Sequence, residues 1–377
     1  MNIGIVISPS HLIVNQSIRK QLPEPMFYEQ LIEYGRKQHI DVYVFRATDF
    51  NSEKNGLMGY CFEHGQWSKQ SVPLPDIIID RTFHSHKLMF KKHALYMNQL
   101  EKKHRFIYFN ANLPNKLQVF EQLKGIFPTI IPPSMQYEHF LQLDNALDEY
   151  KAGIILKPVS GMHGKGIVHV TKKDRLYCIL GRQLNNQLIS TTFSSSIAFQ
   201  KWLLYFRKNH AYLLQPYYQF RTANNEPFDI RVMMQKDGNG KWKLSGSMAR
   251  VGNENSLTSN LHGGGKSSPV FEVLNKRFDN DKAAHLLDEI HMISGQIVEQ
   301  IEASFGRFGE LALDFGINDS GNIFLLECNS KPGRQAFLND KTSTAPVIEQ
   351  PIHYAQYLYH HYIQNKNVYH YKSTSII

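Results

Sequence analysis

The sequence predicts an open α/β layer domain followed by a larger mixed α+β unit built from antiparallel hairpins. Three observations carry this prediction. Short β-rich runs at residues 2–8, 41–46 and 76–80 alternate with helical periodicity near 25–38 and 85–104, the order of an open α/β layer. The stretch FPTIIPPSMQ contains three prolines, which break regular structure and mark a boundary. Beyond it, apolar strand runs come in pairs joined by DGNG and NDSG, which are turn material between hairpin strands.

Taken in order, the first domain continues through GLMGYCFEHGQWSKQSV, an inserted hairpin, and FIYFN, a further strand, and ends near Asn115. A helix follows from Lys116 to about Gly125, and a second helix over 136–151 leads into the strand GIILKPVSG. Strands are expected at AYLLQPYYQF, FDIRVMMQK, KWKLSGSMARV, GELALDFGI and NIFLLECNS, with a long helix near 281–304. The division is 1–115, 116–213, 214–350 and a helical tail over 351–377.

A chain of 377 residues is long enough for two or three domains with a large core. Cys61, Cys178 and Cys328 are too few and too scattered for a disulfide framework or a zinc site, and no signal-peptide pattern opens the chain, so a reducing, cytoplasmic setting is expected. No apolar run reaches the roughly 20 residues of a membrane-spanning helix. The net charge of +9 points to anionic partners. The basic residues are dispersed, however, and FKKHALYMNQLEKKHRF reads as a helix with a solvated basic face. No nucleic-acid-binding module is present, so neither nucleic acid nor membrane is an expected partner. The 18 histidines lack zinc-site spacing and are read as surface or core residues.

The chemistry starts in NIFLLECNSKPG. Strand alternation puts Ile323, Leu325, Glu327 and Asn329 on one side and Phe324, Leu326 and Cys328 on the other. In GELALDFGI, Ala312 and Asp314 share a face. With an even-numbered loop between the strands, Asp314 falls opposite Leu325 and diagonal to Glu327, whereas a bulge would flip the register. Asp314, Glu327 and Asn329 then form a hard-oxygen site suited to magnesium, against the alternative of a buried polar pair bonded to backbone.

A second stretch, IILKPVSGMHGKGI, places Lys157 in a buried strand before a glycine-rich loop. A buried lysine needs an anion, and Gly161, Gly164 and Gly166 let backbone N–H groups approach phosphate. Lys165 reads equally as a phosphate ligand or an ordinary loop lysine. In a third, FDIRVMMQ puts Asp229, Arg231 and Gln235 on one face, and an even loop brings Arg250 to the same face. Asp229 satisfies one arginine and leaves the other for phosphate or carboxylate, although a structural ion pair is a rival role for Arg231. TSNLHGGGKS, with Asn260 and Lys266, is either a further anion-binding loop or a linker.

Taken as a set, ILKPVSGMHGKGI, LLQPYY, FDIRVMMQKDGNGKW, ARVGNENSLTSNLHGGG and GELALDFGINDSGNIFLLECNSKPG resemble the ATP-grasp superfamily, and most closely its YheC/YheD-like branch of spore-coat-associated proteins. They cover most of residues 116–335, and IIIDRTF with FNANLPNK looks like that family's preceding domain. The resemblance implies an ATP-grasp fold, two α+β subdomains clasping ATP behind an open α/β domain. The implied activity is ATP-dependent carboxylate–amine ligation through an acylphosphate. The acceptor would be an anionic small molecule, peptide or protein, the cofactors ATP with two Mg2+ ions or Mn2+ in their place, and the location cytoplasmic or spore-coat associated. Related ligases commonly form homodimers.

By the same resemblance Lys157 binds α/β-phosphate, and Gly161, His163, Gly164, Lys165 and Gly166 form the loop over the phosphates. Gln215, Pro216, Tyr217 and Tyr218 are the hinge at adenine, and Asp229 touches ribose or substrate. Arg231 and Arg250 stabilise the transferring phosphate or bind the acceptor, while Asp314, Glu327 and Asn329 hold metal, with Glu327 bridging. Two departures stand out. No lysine occurs in PPSMQYEHFLQLDNALDEY, where many relatives have a nucleotide contact, and Lys116 and Lys151 are poor substitutes by position. Ala312 stands where related ligases often have arginine, a charge that Arg250 or Lys266 would have to supply. These gaps keep a non-catalytic nucleotide-binding coat protein and an ATP-grasp kinase as alternatives to a ligase. In the acceptor pocket, Asp80, Arg81 and His84 have either a binding or a structural part.

Overall fold

A computed structural model of the chain describes residues 1–8, 17–83, 87–161, 164–254, 256–257, 259, 265–338 and 341–364. Strand Asn2–Ile7 runs parallel to Asp41–Arg46 on one side and to Ile77–Arg81 on the other, so the strand order reverses around it. Ile107–Tyr108 extends the sheet in parallel, and the hairpin Gly56–Glu63 with Gln66–Val72 is its antiparallel edge. Alternation along the strands loads both faces. Ile3, Ile5 and Ile7 pack with Phe27, Leu31 and Ile32 of helix Pro25–Lys37, whereas Val6, Tyr43 and Ile78 pack with Met97 and Leu100 of helix Lys87–Lys103.

A second sheet has the order Leu188–Phe193, Leu176–Arg182, Val168–Lys173, Ile154–Pro158, Tyr212–Pro216, Met135–Gln136. Ile154, Leu156, Val168 and Val170 point toward helices Phe140–Glu149 and Ser196–Arg207, meeting Leu143, Phe199 and Leu203. Between the glycine-rich loop and Tyr212 no element is expected from the sequence. The three strands and the helix found there complete this small lobe.

The third sheet has the order Lys266–Ser268, Trp242–Val251, Phe228–Lys236, Glu310–Ile317, Ile323–Asn329. One face packs on helix Asn280–Phe305, whose Ala283, Leu286, Ile290, Ile297 and Ile301 recur at helical spacing. Asp279 caps this helix by accepting from the Lys282 N–H at 2.8 Å, and Gly306, with φ of 97°, ends it. Helix Lys116–Leu123 contributes Val119, Phe120 and Leu123 to this same large-lobe core. Strand Tyr212–Pro216 runs across the 213/214 boundary and helix Lys341–Leu358 across 350/351. That last helix carries Ile348, Ile352, Tyr354 and Leu358 back into the core of the first domain.

Both hairpins of the third sheet depart from the even-loop expectation in the same way. Their loops, residues 237–241 and 318–322, are odd in length. Asp237 Oδ1 accepts from the N–H groups of Asn239 and Lys241, and Asn318 Oδ1 from those of Ser320 and Asn322. Gly240 and Gly321 take φ values of 72° and 88° in matching positions. An odd loop alone would put the intended partners on opposite faces. Each hairpin restores the register with one bulge, at Ser245 and at Leu326.

Gly309 lies where strand Glu310–Ile317, the first domain and the C-terminal helix converge. A Cβ there would fall 2.4 Å from the Phe109 ring and 2.6 Å from Tyr354. Gly309→Ala is therefore expected to lower the unfolding free energy by about 1–3 kcal/mol, measured by denaturant titration. A change below about 0.5 kcal/mol would show that the three elements are not tightly packed at this point.

Candidate active site

The bulge at Leu326 builds the site. Upstream of it Ile323 and Leu325 enter the core, and downstream Cys328 packs on the core while Glu327 and Asn329 share the face of Asp314. This corrects the expected alternation, in which Ile323 and Leu325 share the face of Glu327. The chain changes sides because the extra residue shifts the pleat by one. Asp314 therefore lies directly opposite Glu327, not Leu325, and Ala312 opposite Asn329. A bulge was expected to break the pairing of the carboxylates, and it creates it.

Asp314 is buried and held from the neighbouring strands. Arg231, directly opposite in the ladder, donates from Nε to Oδ1 at 2.8 Å and from Nη2 to Oδ2 at 2.7 Å. Arg250 Nη2 lies 3.0 Å from the same Oδ2 and donates to Asp229 Oδ2 at 2.5 Å, while Arg250 Nε donates to Asp229 Oδ1 at 2.6 Å. Burial pushes the Asp314 carboxyl up, but Arg231 and Arg250 more than offset it and hold it at about 2. The expectation that one arginine is left over for an anion therefore does not hold for this state, since Arg231 and Arg250 both pair with carboxylates. Lys266 is not brought into this group. It is exposed on the edge strand, with Nζ 3.8 Å from Glu226.

Across the cleft, Lys157 projects from the face of the small-lobe sheet opposite its helices. Its Nζ donates to the carbonyl of Leu326, the bulge residue, at 3.1 Å and sits 5.0 Å from the Phe120 ring centre. Burial, reinforced by the nearby charge of Lys116, lowers its pKa to about 7. Lys116 itself stands in the site, with Nζ 3.4 Å from Glu327 Oε1 and 3.3 Å from the carbonyl of Gly161. Sequence position made it a poor candidate. The signal that locates it is the capping box of Asn115 and Gln118, which fixes Lys116 at the first turn of its helix.

In the loop after Lys157, Gly164 and Gly166 have φ of 68° and 74°. A Cβ on Gly166 would lie 2.8 Å from Leu184 and 3.0 Å from the Tyr212 hydroxyl, so conformation and space both require glycine. Lys165 is exposed, and His163 lies outside the described residues, as do His84 and Asn260. In the expected hinge segment, Gln215 is buried and donates to Ser134 Oγ at 2.5 Å, and Pro216 pairs with Ile154. Tyr217 stacks on His169 at 3.9 Å and Tyr218 on Phe324 at 4.2 Å. A Cβ on Gly316 would fall 2.7 Å from the Phe220 ring, so that glycine gives Phe220 its place beside Tyr218 and Phe324. These rings make one end of the cleft flat and aromatic, and the two lysines and the carboxylates make the other end charged.

The donor set suits a hard divalent cation. Glu327 is partly exposed, Asn329 has an amide oxygen to offer while its Nδ2 lies 3.5 Å from Asp314 Oδ2, and among the described residues Asp314 Oδ1 accepts one hydrogen bond, from Arg231 Nε. Among the described residues no three acidic, histidine or cysteine side chains converge.

Residues 105–358 match the sequence pattern of the YheC/D-like ATP-grasp family. The chain belongs to that family. It is 27% identical over 296 residues to the endospore coat-associated protein YheC of Bacillus subtilis, covering 78% of this chain and 80% of that one. It is 26% identical over 322 residues to YheD of the same organism, covering 83% and 69%. In fold it is similar to D-cycloserine synthetase DcsG, with TM-score 0.57, 12% identity and coverage of 94% of this chain and 100% of that one. The ATP-grasp ligase PsnB, solved with minimal precursor, Mg and ADP, gives 0.52 at 12% identity, with coverage of 94% and 98%. The ATP-grasp fold expected from the sequence is the fold observed.

Because Lys157 binds its proton more weakly in the folded chain, the unfolded chain carries the excess proton between about pH 7 and 10.5, and stability should rise with pH across that window. Lys157→Met is expected to stabilise the nucleotide-free protein at pH 6, by on the order of 3 kcal/mol, and by much less near pH 10. Urea unfolding at both pH values checks this. A variant destabilised equally at both would show that the Leu326 bond outweighs desolvation.

Proposed function

We propose that this protein is an ATP- and Mg2+-dependent ligase that joins a carboxylate to an amine through an acylphosphate, adding an amino acid to an anionic peptide, protein or small-molecule acceptor. The observation that carries the reading is one cleft in which Asp314, Glu327, Asn329 and Lys116 on the large lobe face Lys157 on the small lobe. Phosphoryl transfer depends on positioning and charge neutralisation more than on a nucleophilic side chain.

In this reading the aromatic end, with Tyr217, Tyr218 and Phe324, receives the base, and Gln215 and Pro216 form the hinge. The phosphates lie between the glycine loop and the two lysines. The acceptor carboxylate oxygen attacks the γ-phosphorus and ADP leaves. The amine nitrogen then attacks the acyl carbon, phosphate leaves and the amine proton passes to solvent. Lys157 and Lys116 exchange Leu326 O and Glu327 for phosphate oxygens, while Arg250, shared between Asp229 and Asp314, is the group that would supply the positive charge Ala312 lacks. Bound at Asp314, Glu327 and Asn329, Mg2+ would neutralise charge on the phosphates.

A second reading is a nucleotide-binding component of a spore layer without turnover. It is favoured by the engagement of both Asp314 oxygens by arginine and by the coat association in the names of YheC and YheD.

The deciding experiment measures ADP and phosphate release with Mg2+ and ATP, with pools of amino acids and acidic peptides, for the native chain beside Glu327→Ala. Pool-dependent release that falls at least about 100-fold in the variant is expected. Mass analysis of the product then separates a new amide bond from a stable phosphate, which would make the protein a kinase. ATP binding without release in any pool would favour the coat component.

A further inference from the structure

Asn110 belongs to the motif FNANLPNK, in the first domain, and none of the roles above uses it. Its side chain makes four hydrogen bonds. Oδ1 accepts from the N–H of Gly309 at 2.7 Å and of Glu310 at 3.1 Å, and Nδ2 donates to the carbonyls of Glu310 at 3.2 Å and Ser330 at 2.6 Å. The position of these bonds matters. Strands Glu310–Ile317 and Ile323–Asn329 last pair at Ala312 and Asn329, and they separate immediately beyond. In an antiparallel ladder the N–H and C=O of residues two apart point to the same side, so the groups of Glu310 point where those of Ala312 meet Asn329. The Asn110 amide occupies the next rung, binding Glu310 as a strand residue would while holding Ser330, the residue after Asn329.

The first domain grips the same segment at further points. Lys331 Nζ reaches Asp80 Oδ2 at 2.7 Å and the Thr82 carbonyl at 3.0 Å, and Arg81 Nη2 donates to the Pro332 carbonyl at 3.0 Å. These bonds anchor the chain after Ser330. Arg334 also pairs with Glu310 on the strand of Asp314, and Asn110 makes that link at Ser330, the residue beside Asn329.

We propose that Asn110 is a positioning residue that sets the spacing between the strand of Asp314 and the strand of Glu327 and Asn329, and so tunes their joint affinity for a divalent cation. This rests on the ligase reading only insofar as those three residues bind metal. A group that orients metal ligands typically contributes about 10–100-fold in affinity when removed. Asn110→Asp removes the donations to the Glu310 and Ser330 carbonyls together, because a carboxylate still accepts from Gly309 and Glu310 but can no longer donate.

The test is calorimetric titration of Mg2+ into the full chain with ADP present, alongside ADP binding in excess chelator, for the native protein, Asn110→Asp and Asn110→Ala. The expected result is at least about tenfold weaker Mg2+ binding in both variants, with metal-free ADP affinity within about twofold of native. Should Asn110→Asp fail to fold, Asn110→Ala carries the comparison, since it adds no charge. Unchanged Mg2+ affinity in a folded variant overturns the inference alone, and so does an equal loss of metal-free ADP binding. A native chain whose ADP binding is indifferent to Mg2+ overturns the metal-site assignment along with it.

Discussion

The extra residue at Leu326 is the constraint from which the rest of the cleft follows. Without it, the odd loop at 318–322 would place Glu327 and Asn329 on the buried face, where unpaired polar groups are costly. With it, the strand is apolar where it meets helix Asn280–Phe305 and polar where it meets the small lobe. The bulge also leaves one carbonyl outside the regular ladder, and Lys157 binds that carbonyl. A single irregularity thus presents the acidic pair and ties the two lobes together.

Charge is balanced within the cleft itself. Asp314 lies between two guanidinium groups, Arg250 is shared with Asp229, and Glu327 faces Lys116. Lys157 is the exception, since its named hydrogen-bond partner is a neutral carbonyl and burial disfavours its charge. Such a lysine has much to gain from an arriving phosphate, because desolvation has already occurred. The first domain takes part by gripping the segment after Asn329. Asp80, Arg81 and Asn110 hold the chain that follows Asn329, so the α/β sheet acts as a buttress for the strands of Asp314 and Glu327.

Most of the elements were legible because their signals are local. The parallel strands around Asn2–Ile7 and the helix at Asn280–Phe305 follow from periodicity, and the hairpin turns follow from Asp237, Gly240, Asn318 and Gly321. The small-lobe strands between Val168 and Phe193 were not picked out. Their outward faces alternate weakly, with Leu176, Leu180 and Leu188 exposed, which blurs the polar half of the pattern. Lys116 was undervalued because its approach to Glu327 joins residues far apart in the chain and has no signature at any fixed spacing.

The sequence by itself determined the residue types of the site: the carboxylates and amide of two neighbouring strands, a lysine before a glycine loop, and two arginines on one sheet face. It also determined the ATP-grasp family to which the chain belongs. What only the tertiary structure decided is which groups meet. Register depends on loop parity and on bulges, and a one-residue change moves every side chain to the other face. Parity is set by how the whole hairpin twists onto its core, so the pairing of Asp314 with Glu327, and of Lys157 with Leu326, is decided by packing and not by spacing along the chain.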